Sequence, residues 1–300
     1  MNTSDPQNAT HFDPSKKTVS LATGIRLAYV EAGVPGADAV ILLHGYTDTA
    51  RSFFPTIEQL CAQGAPLHIY ALDQRGHGDS SMPEIADPGS PEAGFELTQM
   101  AADVVAFMDG LGIGSAHIVG HSMGSVVAQE LALARPERVR SLLLIGTYVS
   151  GSAAGVFEQF LTPVVEGQWK RALRARPGFD YPADAYLATP ALADPDVRGW
   201  LAASWVADVT APRAHLAAVL PETAATRLGT WIGALRAQKR FESSARLAAL
   251  RVPVLVIWAT QDNMFPAEPD QRLVREALDL AIDAGSLERY FYKIYGAQAL

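Results

Sequence analysis

The sequence predicts an α/β fold: a mostly parallel central sheet with helices on both faces, broken by a helical insertion before its last strands. Three observations carry that expectation. Apolar runs of strand length alternate with helix-patterned stretches over residues 39–145 and return at 252–260, the alternation that strand–helix–strand crossovers produce. Between 151 and 247 no strand pattern appears; the stretch is Ala-rich and cut by seven prolines, from Pro163 to Pro221. One apolar run, 116–119, passes through Gly120 and Gly124 straight into a helix-prone stretch. The expected organisation is a flexible polar arm (1–17), a sheet-bearing core (18–150 and 248–300) and a helical cap (151–247), because an insertion there sits over the C-terminal strand ends where open α/β sheets bind ligands.

Composition narrows the functional classes. With 300 residues and a hydrophobic fraction of 49%, the chain can bury a substantial core. A net charge of -8 without a basic stripe argues against nucleic-acid partners. Cys61 is the sole cysteine, which excludes an internal disulfide and a thiolate metal cluster. The N-terminus lacks the apolar core of a secretory signal, and no run approaches the ~18 apolar residues of a membrane span. The expected address is therefore the cytoplasm, with no membrane partner. No carboxylate–histidine cluster or phosphate loop appears, so neither metal nor cofactor is expected.

Taken in order, residues 19–31 read as a β-hairpin with its turn at Ala22-Thr23-Gly24, broken by Gly33-Val34-Pro35-Gly36. Residues 39–44 form the continuous apolar run of a strand buried on both faces, followed by a helix over 52–61. A second buried strand over 67–73 leads into the tight polar turn 74–81, and 83–91 is loop. The helix at 95–111 places Leu97, Met100, Ala101, Val104, Val105, Met108 and Leu111 on one face, with Gly112 ending it. Strands follow at 116–119, 139–145 and 252–260, then a helix over about 268–284 and a last strand over 287–295. The insertion holds Trp169, Trp200, Trp205 and Trp231; these aromatics are expected mainly to pack its helices, with one or two reaching a pocket.

Gly120-His121-Ser122-Met123-Gly124 is where chemistry is expected. A Gly-x-Ser-x-Gly turn between strand and helix is a nucleophile elbow, tight enough to expose the serine Oγ. The glycines are needed because strand and helix backbones pass too close for a β-carbon. Ser122 is the candidate nucleophile.

Four motifs in sequence order, His44-Gly45-Tyr46, Asp73-Gln74-Arg75-Gly76-His77-Gly78-Asp79-Ser80, the elbow itself and Trp258-Ala259-Thr260-Gln261-Asp262, resemble those of the α/β-hydrolase superfamily of the capped kind, over about residues 19–295. The resemblance implies that Ser122 is the nucleophile and that the backbone N–H groups of Tyr46 and Met123 form an oxyanion hole. It makes Asp262 the acid that orients a catalytic imidazole, and leaves Asp73 and Asp79 to turn hydrogen bonds. His44, Gly45, His121, Tyr148 and Phe265 are the expected pocket residues. The implied reaction is hydrolysis of a small, apolar carboxylic ester through an acyl-enzyme. A C–C hydrolase, lactonase, peptidase or cofactor-free perhydrolase would use the same motifs, and a ligand-binding protein on this scaffold is the non-enzymatic alternative. Serine at 122 departs from the related epoxide hydrolases and haloalkane dehalogenases, which place aspartate there.

The general base is missing from its usual place. In the family the histidine follows the acid, whereas the histidines here are 11, 44, 68, 77, 117, 121 and 215. His44 and His121 are not expected to reach Ser122 Oγ and Asp262 together, and His215 lies in the insertion. The expectation is a C-terminally shortened hydrolase that lacks both the base and a helix over one sheet face, with correspondingly low activity, since serine without a base stays protonated.

Overall fold

The computed structural model describes residues 12–204, 212–259, 262, 264–266, 270–283 and 289–294. They form one eight-stranded sheet: β1 (Lys16–Ser20), β2 (Arg26–Gly33), β3 (Asp38–Leu43), β4 (Leu67–Asp73), β5 (Ala116–His121), β6 (Val139–Ile145), β7 (Val254–Ala259) and β8 (Arg289–Ile294). Spatially the order is β1-β2-β4-β3-β5-β6-β7-β8. β2 pairs antiparallel with both β1 and β4, and every pairing from β4 onward is parallel. Parallel pairing demands crossovers, and helices supply them: α1 (Phe54–Ala62), α2 (Leu97–Gly110), α3 (Met123–Ala134) and α8 (Arg272–Asp283).

The period-2 alternation of strand side chains divides the core between the two faces. From β3, Ile41 and Leu43 join the cluster that contains Val104 and Phe107 of α2 and Val127 and Leu131 of α3. Val40 and Leu42 face the other way, onto Phe54, Ile57 and Cys61 of α1. Each fully buried aliphatic or aromatic side chain of this kind contributes about 1.5–3 kcal/mol. On the α1 side, Val119, Leu143, Leu255 and Ile257 of β5–β7 are only half-buried.

Three of the differences between observed and expected boundaries have a physical reason in the packing or the backbone. β1 starts at Lys16, inside the stretch expected to be a flexible arm, because Lys16 Nζ reaches the buried Asp73 carboxylate (2.6 Å) and Asp79 (3.0 Å) across the sheet. Phe12, further upstream, packs edge-on against Phe54 at 5.1 Å. β7 begins at Val254 rather than 252, since Pro253 has no N–H to give; its carbonyl instead accepts Leu142 N–H (2.8 Å). Between β3 and α1 the chain first makes a 3₁₀ turn, Ala50–Phe53. Residues 1–11, Trp205, Thr260, Gln261 and the ends of the expected last helix and strand lie outside the described residues.

Among the described residues, 151–247 contains helix and turn, and its sole β-contact is an isolated bridge between Ser150 and Glu242. A wide-wound helical path over Val156–Leu161 and Pro163–Trp169 tightens into α4 (Lys170–Arg174), followed by α5 (Val197–Ser204), α6 (Arg213–Ala225) and α7 (Leu228–Lys239). Trp169 packs edge-on against Trp200 (5.5 Å) and Trp231 (5.1 Å), so the tryptophans first of all hold this segment together. The segment also grips the loops after β3 and β4. Tyr46 Oη donates to Trp231 O, Thr49 Oγ1 and Arg51 Nε donate to the Glu222 carboxylate (2.6 and 2.7 Å), and Thr230 Oγ1 donates to Gly76 O (2.8 Å).

Candidate active site

β5 ends at His121, α3 starts at Met123, and Ser122 makes the whole turn between them with φ 49° and ψ -116°. A side chain in that left-handed region costs on the order of 1–3 kcal/mol. Close packing enforces it. A β-carbon at Gly120 would stand 2.4 Å from Gly124 O, and one at Gly124 would stand 2.1 Å from Leu43 O. Ser122 N–H donates to Ile145 O (2.9 Å), and Ser122 O accepts from Ser125 N and Oγ. Among the described residues no hydrogen bond engages Ser122 Oγ. Met123 N–H belongs to the first turn of α3, whose N–H groups have no acceptor inside the helix, and the positive end of the helix dipole lies there.

The loop after β3 passes beside the serine: a β-carbon at Gly45 would lie 3.4 Å from Ser122 Cβ and 3.0 Å from His121 Nδ1. Its neighbours are tightly held. His44 is fully buried, with Nδ1 at 2.8 Å from Gly45 O and Nε2 accepting Gln74 N–H at 3.0 Å. That pairing makes Nδ1 the donor, and burial holds the ring well below the usual histidine range, hence neutral. Tyr46 is buried edge-on against Trp231 at 5.3 Å. Asp73 accepts Ala50 N–H (2.8 Å) on one oxygen and Asp79 N–H (2.9 Å) plus Lys16 on the other. Burial raises its carboxyl while Lys16 opposes the shift.

Asp262 stands just past β7, with its N–H on Ala259 O (3.1 Å). Its two oxygens differ. Oδ1 accepts the N–H groups of Met264 (2.8 Å) and Phe265 (3.0 Å), a turn-forming role; no hydrogen bond engages Oδ2 among the described residues. Oδ2 lies 3.7 Å from where a β-carbon on Gly146 would be, and His121 Cδ2 lies 4.0 Å from the same point. His121 is an exposed residue at the end of β5. Crowding by the surrounding chain pushes its imidazole below the usual value, and the Asp262 carboxylate pulls it back up.

Gly45, His121, Ser122, Gly146 and Asp262 therefore converge. The Tyr148 and Phe265 rings stack on each other (4.9 Å, 10° between planes) and are buried, and Tyr148 Oη donates to Gln238 Oε1 at 3.0 Å. With His44, they belong to the packing around the cluster. Two contributors were not singled out from sequence. Gly146 (φ 54°) leaves the space between His121 and Asp262 open. Asp270 is buried with Oδ2 unpartnered, and its carboxyl is pushed up to about 6 by burial and by Asp262. A glycine right after a strand was a readable signal; Asp270 reads in sequence only as a helix-start residue. Among the described residues no group of three or more His, Cys, Asp or Glu could hold a metal ion. Nor is any helix there long and apolar enough to cross a membrane.

Residues 38–278 match the model of a family described as alpha/beta hydrolase fold. A Variovorax paradoxus protein provisionally named carbamate hydrolase RutD is 32% identical over 260 residues, covering 85% of this chain and 86% of the relative. Epoxide hydrolase A of Mycobacterium tuberculosis is 31% identical over 186 residues, 62% of this chain, and the match spans 51% of that enzyme's length. The solved esterase EaEST of Exiguobacterium antarcticum superposes with a TM-score of 0.66 at 16% identity, covering 93% of this chain and 91% of the esterase.

Proposed function

The chain belongs to the α/β-hydrolase fold family, and from that membership we propose that it is a serine hydrolase acting on a small, apolar carboxylic ester. The carrying observation is Ser122: strained at φ 49°, at the start of α3, with Oγ uncommitted among the described residues. A strained residue held in place by its surroundings is a pointer to function. In this reading Ser122 Oγ attacks the ester carbonyl and the N–H groups of Met123 and Tyr46 receive the oxyanion. Such a donor is worth on the order of 3 kcal/mol of transition-state stabilisation. Asp262 Oδ2 stabilises the imidazolium formed when a histidine takes the serine proton.

The helical segment 151–247 acts as a cap, its grip on the loops after β3 and β4 fixing the oxyanion loop against α7. Gly45 and His121 line the site, with His44, Tyr148 and Phe265 packed around it. A cytoplasmic location suits the lone, buried, unbridged Cys61. Serine at the elbow favours an acyl-enzyme over the aspartyl-ester route of epoxide hydrolases, despite the epoxide-hydrolase relative.

Treatment with a fluorophosphonate probe tests the reading, with peptide mapping of the adduct. Labelling at Ser122 together with turnover of p-nitrophenyl acetate is expected. Absence of both rejects it.

A further inference from the structure

We infer that Thr147 is a positioning residue that sets Ser122 and Asp262 at their working separation, as the hub of a buried hydrogen-bond relay between the two loops. The inference rests on the serine-hydrolase reading of those two residues and adds to it the part of the core that fixes their geometry.

Sheet order creates the need for such a hub. Ser122 follows β5 and Asp262 follows β7, and these strands are not neighbours, because β6 lies between them. The direct route from nucleophile to acid therefore runs through the end of β6. That end is engaged from both sides: Ile145 O accepts Ser122 N–H (2.9 Å), and Gly146 N–H donates to Ile257 O of β7 (3.0 Å). Backbone of any sequence could make these two bonds. Thr147, next in the chain, joins a set of bonds that depends on side chains.

On the nucleophile side the protons can be placed one by one. Tyr148 O and Ser122 O can only accept. Gln129 Nε2 therefore directs its two protons to Tyr148 O (3.0 Å) and Thr147 Oγ1 (2.8 Å), and the Ser125 hydroxyl proton goes to Ser122 O. The Thr147 hydroxyl proton is left for Ser125 Oγ, 2.7 Å away. Gln129 Oε1 in turn accepts from Ser243 Oγ (2.7 Å). The relay from Ser243 through Gln129, Thr147 and Ser125 to Ser122 O runs in one direction and uses each proton once.

On the acid side, Thr147 O accepts from Gln271 Nε2 (3.2 Å), and the same amide nitrogen reaches Phe265 O (3.4 Å). Phe265 N–H is one of the two donors on Asp262 Oδ1, at 3.0 Å. Thr147 thus holds the nucleophile loop through its hydroxyl and the acid loop through its carbonyl.

Stability alone does not call for these side chains. Thr147, Ser125, Gln129, Ser243 and Gln271 are all buried. Apolar side chains of similar volume would fill the same space without a polar group to satisfy. What a fully paired network adds is a single arrangement, since each bond fixes a length and a direction. A catalytic pair uses that property, because a misplacement of about 1 Å costs on the order of 100-fold in rate.

The test measures kcat and KM for p-nitrophenyl acetate, with competent sites counted by fluorophosphonate titration of Ser122. Expressed per titrated site, kcat is insensitive to protein lost through instability, which a purely structural role would predict. The variants are Thr147→Val, which keeps the shape and removes the hydroxyl, Thr147→Ser, which keeps the hydroxyl, and Gln271→Met, which removes the amide. Thr147→Val and Gln271→Met are each expected to lower kcat by about 10- to 100-fold with KM within about twofold of wild type, and Thr147→Ser to keep kcat within about threefold. A folded Thr147→Val or Gln271→Met within about threefold of wild-type kcat per site overturns the role and leaves the serine-hydrolase reading standing. So does a Thr147→Ser variant as slow as Thr147→Val, which would assign the effect to packing of the methyl group. Should Thr147→Val fail to fold, judged by circular dichroism, Gln271→Met decides by the same criterion. An unlabelled, inert wild type overturns both.

Discussion

Gly124 and Leu43 are in backbone contact: a β-carbon on Gly124 would stand 2.1 Å from the Leu43 carbonyl oxygen and 2.5 Å from its carbonyl carbon. The start of α3 is thus pressed directly onto the end of β3, which brings Ser122 beside Gly45. Backbone cannot move aside as a flexible side chain can. Gly124→Ala is expected to cost about 3 kcal/mol or more and to abolish Ser122 labelling. Urea denaturation measures the first; a loss below about 1 kcal/mol would mean that the two backbones can separate cheaply.

Strain at Ser122 should be recoverable as stability. Glycine tolerates φ 49° without a β-carbon penalty, so Ser122→Gly is expected to raise stability by about 1 kcal/mol while eliminating labelling. Thermal denaturation of Ser122→Gly beside Ser122→Ala separates relief of strain from loss of the hydroxyl. A glycine variant no more stable than the alanine variant would contradict it.

Asp48 should make stability depend on pH. Its carboxyl is pushed up to about 6, chiefly by burial and also by Glu222 and Asp73, against hydrogen bonds from Ser52 and Thr49. For an acid raised in the folded state, the folded form holds the proton more tightly. The associated stability is present in full below about pH 4 and is lost as pH rises through 6. Asp48→Asn should therefore match the wild type at pH 4 and exceed it at pH 7.5 by about 1–2 kcal/mol, the lower figure reflecting partial contact with solvent. Denaturation midpoints at the two pH values decide it.

Arg75 and Asp103 form a buried pair in which Nε and Nη2 meet the two carboxylate oxygens at 2.6 and 2.7 Å. Arg75 also holds Gly94 O (2.9 Å), and Thr23 Oγ1 completes the Asp103 carboxylate (2.6 Å). Removing one partner strands a buried charge, so Arg75→Met should cost about 3–5 kcal/mol. The double variant Arg75→Met/Asp103→Leu should recover a large part of that loss. A double variant as unstable as the sum of the singles would mean that the pair is not coupled.

The sheet was largely legible because its information is local. Buried parallel strands print themselves as continuous apolar runs, so β3, β4, β5, β6 and β7 appear in the sequence with small errors at their ends. β1 does not. Lys16 and Lys17 look like part of a polar arm until Asp73, 57 positions away, is placed beside Lys16.

By itself the sequence determined the elbow, because strand–Gly-x-Ser-x-Gly–helix can be read from five adjacent letters and their flanks. It likewise determined the family and the order of the motifs. Only the tertiary structure decided which side chains share a space. It committed His44 to Gly45 and Gln74, stacked Tyr148 on Phe265, split the duties of the Asp262 oxygens, and set the His121 ring between Gly45 and Gly146. The physical reason is that local patterns reflect backbone geometry and burial, which neighbours in the chain impose. The direction of a ring and the absence of a β-carbon opposite it depend on segments separated by up to about a hundred residues, and only folding brings those together.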